Sequence, residues 1–271
     1  GLSISVDYIN VDQRDLFGTL GAAAILQDVD NLGPNSAFVS QVSFVNFPGL
    51  AGAVPITAPH QLSAFLAAGN SANGIFVSDT NRNIAGQKVE AVDVAVSYNL
   101  PTSMGTWDFS TTGTFFLTYK FQATPFQSFY EFAGFTTNGG VSSQGTIPDY
   151  RFYTTVSWRK GNWTAFIGDT YIPSVTDIGT GGLTFATSTT LKPVPVDSYN
   201  SIDLALTYAI PSKTTESWLR WLHGMKFTVG VNNVTDEQPP AAPQAWTDNN
   251  ADISTYNPIG RLWYVSASAK F

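Results

Sequence analysis

The residues 260–271 read GRLWYVSASAKF, and their alternation decides the fold. Trp263, Val265, Ala267, Ala269 and Phe271 fall on one face; Tyr264, Ser266, Ser268 and Lys270 fall on the other. A two-residue period with one apolar side is the mark of a β-strand lying against an apolar medium. The same rhythm returns upstream. Val92, Val94, Val96, Tyr98 and Leu100 alternate with Ala91, Asp93, Ala95, Ser97 and Asn99. In 106–119, Trp107, Phe109, Phe115 and Leu117 alternate with Thr106, Asp108, Ser110 and Thr112. A one-residue slip would turn Asp108 to the apolar side, so the register is well specified.

Further segments repeat the pattern. Tyr150, Phe152, Val156 and Trp158 share a face, as do Ile202, Leu204, Leu206 and Tyr208, and Met225, Phe227, Val229 and Val231. Segment 162–172 carries aromatics on both faces. The expected spanning strands cover about 2–14, 87–99, 106–120, 148–158, 162–172, 197–209, 224–233 and 261–271, with an extra strand over 74–80. Helical patterns occur only at 20–28 and 216–222.

Composition narrows the class. Charged residues make up 12%, aromatics 14%, and the mean hydropathy is +0.00. No run of 18 apolar residues exists, which excludes a membrane-spanning helix. Few charges, many rings and abundant Gly, Ser and Thr fit a sheet with lipid on one side and a polar lumen on the other. A net charge of −7 with no basic patch argues against nucleic acid as a partner. The chain has no cysteine, so no disulfide or thiolate metal site is available. It opens on Gly1 rather than Met, and is expected to be a processed product or a piece of something longer.

The connections alternate in length. Residues 100–105, 159–161 and 210–224 are the shorter ones; about 15–86, 120–148, 173–196 and 234–260 are long. Outer-membrane barrels pair short periplasmic turns with long extracellular loops in this way. The long segments are therefore expected to be extracellular.

Several motifs are then specific. FTVGVNNVTDEQPP (227–240) resembles the penultimate strand of TonB-dependent outer-membrane receptors, and YNPIGRLWYVSASAKF (256–271) their last strand. NRNIAGQKVEAVDVAVSY (81–98) resembles another of their strands, with Ala91 where glycine is common. Residues 1–15 and 150–172 are similar to their hairpins. The resemblance implies an all-β fold: a transmembrane antiparallel β-barrel of 22 strands, of which this chain would supply about the last eight. The family's plug domain and energy-coupling motif are not in this sequence. Residues 1–271 would thus form the C-terminal part of the wall.

The resemblance also implies a function and partners. The receptor would import a scarce ligand (a siderophore, cobalamin or an oligosaccharide) with energy passed from the inner membrane. Its setting would be the outer membrane of a Gram-negative bacterium. Partners would be the lipid bilayer, the missing N-terminal part of the receptor, and through that part the TonB complex. The barrel-assembly machinery would read Trp263, Val265 and Phe271; Phe271 would equally serve as an interfacial anchor. A surface lipoprotein is a further partner that the resemblance admits. Two other readings stand beside this one: a self-contained small outer-membrane barrel with a structural or adhesive role, and a soluble β-sandwich. Apolar rings on consecutive strands weigh against the sandwich.

No residues point to an enzyme, a cofactor or a metal. His60 and His223 have no partner at metal spacing. Asp28–Asn31 lacks the carboxylate a calcium loop needs, since Val39 stands at its twelfth position. GTGG at 179–182 lacks the lysine and helix of a phosphate loop. The aromatic stretch 121–135 is different. Phe126, Phe129, Tyr130 and Phe132 lie where an extracellular loop is expected, and Trp246 in QAWTDNN is similar. Dense loop aromatics suit ligand or partner contact, or packing on neighbouring loops.

Overall fold

The structure, a computed structural model, describes residues 1–18, 20–44, 54–69, 74–80, 82–122, 128–138, 145–180, 192–211 and 222–269. Its main feature is a nine-stranded antiparallel sheet. Eight of these strands follow one another in chain order: β1 (Leu2–Gly18), β2 (Arg82–Thr102), β3 (Gly105–Gln122), β4 (Tyr150–Lys160), β5 (Trp163–Ile172), β6 (Tyr199–Ala209), β7 (Lys226–Asn232) and β8 (Leu262–Ser268). The ninth, Tyr130–Glu131, folds back on the end of β3. The expected helix at 216–222 lies almost wholly outside the described residues.

Register turns the alternation of single strands into continuous rows. Opposed residues in an antiparallel pair share a face. One row runs Leu100, Trp107, Trp158, Ala165, Leu206, Val229, Val265. The next runs Tyr98, Phe109, Val156, Ile167, Leu204, Val231, Trp263. Higher on the same face, Val92 opposes Phe115, which opposes Tyr150. Large apolar side chains on this face are exposed, among them Ile4, Val6, Phe109, Ile167, Val229 and Val265, the last at 81%. So broad an exposed apolar sheet face is unsustainable in water and is what a bilayer requires.

The rows also mark the edges of that band. A lower girdle joins Trp107 to Phe109 and Trp158, and Trp163 to Tyr208. An upper girdle joins Phe115, Tyr150, Phe152 and Tyr171. Above it a bulge at Leu117 breaks the β2–β3 register. Beyond the bulge the outward face carries Glu90, Lys88 and Lys120, with Asp12 opposite Lys88. From the row of Trp107 to that of Phe115 is eight residues along β3; at ~3.4 Å each and a tilt of about 40°, this spans roughly 20 Å, close to the apolar band of outer-membrane barrels.

β1 pairs only with β2, and β8 only with β7, among the described residues. The sheet is open, with a free edge at each end.

The described parts of the long connections are folded. The described residues between 20 and 80 form a small α/β unit, with α1 (Ala22–Leu32), α2 (Gln61–Ala67) and a three-stranded sheet of Val54–Pro55, Val42–Phe44 and Ile75–Val77. Its core contains Ile25, Val29, Phe44, Leu62 and Phe65, spaced to put one side of each helix inward. Asp79 closes the unit by accepting the backbone N–H groups of Leu20 (3.2 Å) and Gly21 (3.0 Å) beneath α1. The expected helix at 20–28 and strand at 74–80 are thus parts of one unit. Asp28 and Asp30 lie on α1.

The connections 120–148 and 173–196 build a second sheet in the order Val194–Val196, Val175–Thr180, Phe135–Asn138, Gly145–Ile147. Its central pair is parallel. The reason is topological: β3 and β5 run the same way, and their continuations travel outward side by side.

Candidate functional site: the polar face beneath the loop layer

The face opposite the apolar rows is polar. Asp7 opposes Asp93, Asp93 opposes Thr114, and Thr114 opposes Arg151. Two carboxylates directly across a strand pair repel one another. Each takes a hydroxyl instead: Ser5 donates to Asp7 (3.1 Å) and Thr114 donates to Asp93 (2.6 Å). Such a pair suits a hydrated lumen, not a packed core.

The second sheet and its loops fold over this face. Between them lies a cavity of about 750 Å³, lined by Asp7, Asp93, Thr114, Arg151, Ser254 and Thr255 among others. Wall and loop thus meet in one cleft where two carboxylates, several hydroxyls and a guanidinium stand among apolar groups such as Phe116, Ile147 and Pro148. Sequence alternation put Asp93 and Thr114 on polar faces. It gave no cross-strand register, so it did not bring Asp7, Asp93 and Arg151 together.

Buried polar groups hold the layer in place. Asp252 is fully buried and accepts from Ser254 N (2.9 Å), Ser254 Oγ (2.5 Å) and Thr255 Oγ1 (2.8 Å). Burial by itself would raise its carboxyl; hydrogen bonds from Ser254, Thr146 and Thr255 outweigh that and hold it below the usual carboxylate range. Its stabilising contribution is present above the ordinary carboxylate pKa and is lost as pH falls through the lowered value.

Tyr256 packs with Ile172 and Tyr199 where β5 and β6 leave the wall. Burial, with the Asp252 charge adding to it, pushes its phenol up to about 12. The neutral form is therefore favoured by the fold. The stability this gives is complete below the ordinary tyrosine pKa near 10 and is lost as pH rises through about 12. In an ultraviolet pH titration Tyr256 is expected to ionise after an exposed tyrosine. Tyr256→Phe should remove that late step; a late step unchanged in the variant would assign it elsewhere.

The two most distinctive sequence motifs clasp each other. Asn233, buried with φ +51, accepts from Glu237 N (2.8 Å) and donates to Glu237 O (2.8 Å). Its own N–H donates to Asp203 on β6 (2.8 Å). This bend aims Asp236 at the next strand, where Oδ1 accepts the N–H of Arg261 (2.7 Å). A Cβ on Gly260 would fall on that same Oδ1. Gly260→Ala is expected to cost about 1–3 kcal/mol, since the carboxylate is pinned and cannot step aside. Denaturant melting checks this; Asp236→Ala in the same background should remove most of the added cost.

The aromatic candidates occupy distinct places. Phe132 is 1% exposed, edge-on to Phe121. Phe129 lies under the Lys88 ammonium, 4.7 Å from nitrogen to ring centre. Tyr130 opposes Phe121 on the polar side of the wall and is half-buried. Trp246 packs on Val175, Val196 and Ala242, and its indole N–H donates to Thr136 Oγ1 (2.9 Å). The structure does not gather these rings into one cluster. Phe126 lies outside the described residues. Trp263 and Val265 stand exposed on the outward face of β8, and Phe271 lies outside the described residues.

A family model described as TonB dependent receptor-like, beta-barrel, matches residues 2–234. Neither a curated protein nor a solved structure matches the chain. The matched stretch takes in β1 to β7 and the start of the 233–237 bend; β8 lies beyond it but is hydrogen-bonded to β7 throughout its length. Lipid-facing rows, girdles, a polar inner face and the family match agree: the chain belongs to the TonB dependent receptor-like β-barrel family, whose members are receptors and transporters of the Gram-negative outer membrane and not enzymes.

Proposed function

We propose that this chain is the closing part of the wall of a larger TonB-dependent receptor, which imports a scarce ligand such as a siderophore, cobalamin or an oligosaccharide. The observation that carries this reading is the pair of free edges on β1 and β8 in a sheet with a lipid-compatible face. An open sheet edge in hydrocarbon leaves backbone groups without partners, so further strands must pair with both. Those strands, and a plug linked to the TonB complex, belong to the remainder of the receptor. The self-contained barrel would need β1 to pair with β8.

The segments 15–86, 120–148, 173–196 and 234–260 then face the cell exterior, and the roofed polar cleft faces the ligand's path. Tyr130 is the preferred ligand contact among the rings, because it is half-buried on the polar side. Phe129, Phe132 and Trp246 are the weaker contacts. Trp263, Val265 and Phe271 are the segment read by the barrel-assembly machinery, and a surface lipoprotein is the partner suited to the loop layer.

Uptake of a labelled ferric chelate, cobalamin and a labelled oligosaccharide by cells with and without the receptor tests the reading. One of the three should accumulate, and only while TonB is present. Accumulation of none, with the chain running as a closed small barrel, would favour the structural alternative. Tyr130→Ala should weaken that uptake without lowering the amount of folded receptor; unchanged uptake would return the ring to packing.

A further inference from the structure

The roofed cleft holds charges that the chain itself leaves unmatched. Its wall row runs Asp7, Asp93, Thr114, Arg151 across β1, β2, β3 and β4. Each carboxylate spends one oxygen on its own chain: Asp7 Oδ2 accepts from Ser5, and Asp93 Oδ1 from Thr114. Among the described residues Asp7 Oδ1 and Asp93 Oδ2 accept no hydrogen bond. Asp7, Asp93 and Arg151 form no ion pair there either. All three line the cavity. At ~4.8 Å per strand, Arg151 stands about 10 Å from Asp93 along the row, with Thr114 between them. Apolar groups frame the row on the same face: Phe116 one row above and Tyr153 one row below. Ile147 and Pro148 join them from the loop layer.

We propose that this cleft takes a ligand carrying a protonated amine, held between Asp7 and Asp93, with an acceptor oxygen of the same ligand on Arg151. The inference rests on the reading that the cleft lies on the path of an imported ligand. It narrows that ligand to an amine-bearing one, such as a chelate with a free amine or an amino-sugar chain.

Electrostatics chooses the charge. Two carboxylates opposed across a strand pair repel, and a cation between them replaces that repulsion with two attractions. A neutral hydroxyl leaves the repulsion in place. An anion meets two like charges against one unlike, on a chain of net charge −7. A protonated amine brings three N–H donors, enough for both free carboxylate oxygens. Arg151, two strands from Asp93, then fixes the other end of the ligand through its forked donors. The carbon frame between the two ends lies against Phe116 and Tyr153.

Three matched six-carbon probes separate the charges: 1,6-diaminohexane, 6-aminohexanoate and adipate. Saturation-transfer NMR on the detergent-solubilised full-length receptor at neutral pH reads their binding. The two amines should bind and adipate should not. Asp7→Asn combined with Asp93→Asn should weaken both amines about tenfold while the receptor stays folded and heat-modifiable. Asp197→Asn combined with Asp248→Asn removes the same charge from exposed positions outside the cleft, and should weaken neither. Arg151→Gln should weaken 6-aminohexanoate but not 1,6-diaminohexane. The proposal is overturned if the amines do not bind, if adipate binds as they do, or if the Asp7 and Asp93 pair can be replaced without loss. Each of those results leaves the import reading standing wherever a ligand still accumulates through TonB. Amine binding without any TonB-dependent uptake would overturn the import reading instead and keep the amine site.

Discussion

Replacing Val96 with arginine is expected to destabilise the folded wall by about 2–4 kcal/mol, and Ser97→Arg by well under half of that. The residues are neighbours in β2, with the same strand partners on either side. Val96 opposes Ile4 and Thr111, while Ser97 opposes Ser3 and Ser110. Only the face differs. Val96 lies midway between the girdles on the apolar side, where a guanidinium loses its water; Ser97 lies on the polar side, where it keeps it. Equilibrium unfolding in lipid vesicles reads the difference. Equal costs for the two variants would mean that the faces are not segregated.

Asp177→Ala is expected to remove about 3 kcal/mol or more from the loop layer while leaving the wall intact. Asp177 is fully buried and accepts three backbone N–H groups: Gly179 (2.8 Å), Gln244 (2.8 Å) and Ala245 (3.3 Å). Deleting the carboxylate strands all three in a buried setting, at roughly 1–3 kcal/mol each less what water recovers. Two of them tie the 242–246 turn to the second sheet. The turn should become open to added protease, while the receptor keeps its folded mobility in electrophoresis. Asp177→Asn, which keeps one acceptor oxygen, should be milder. A variant as resistant as the parent would show that Val175, Val196 and Ala242 hold the turn alone.

The strands were legible because lipid and lumen impose opposite demands on successive residues. Each expected strand from 2–14 to 261–271 overlaps an observed one, and Asp108 and Asp93 held the register where hydropathy was weaker. What alternation does not encode is what lies opposite. The cleft joins Asp7 of β1 to Arg151 of β4, far apart in the chain, and its membership follows only from register. The Leu117 bulge was hidden for a related reason, since a single extra residue leaves both flanking patterns intact.

The loop layer was the least legible part. It is held by Asp177, Asp252, Asn233 and Thr136, residues that in a sequence signal solvated turns. Here they are buried because each carries its own set of backbone and hydroxyl partners. For Phe132 and Trp246 the sequence left contact and loop packing both open; the structure buries one and rests the other on a small apolar core.

The central claim is that alternate residues of one continuous sheet face lipid and lumen. Nitroxide labels on single cysteines placed in turn from Val92 to Leu100, in the full-length receptor in vesicles, test it most directly. Val92, Val94, Val96, Tyr98 and Leu100 should be relaxed by oxygen dissolved in the bilayer, and Asp93, Ala95, Ser97 and Asn99 by a water-soluble metal complex. A profile without that two-residue period, or with the two sets exchanged, would contradict the account.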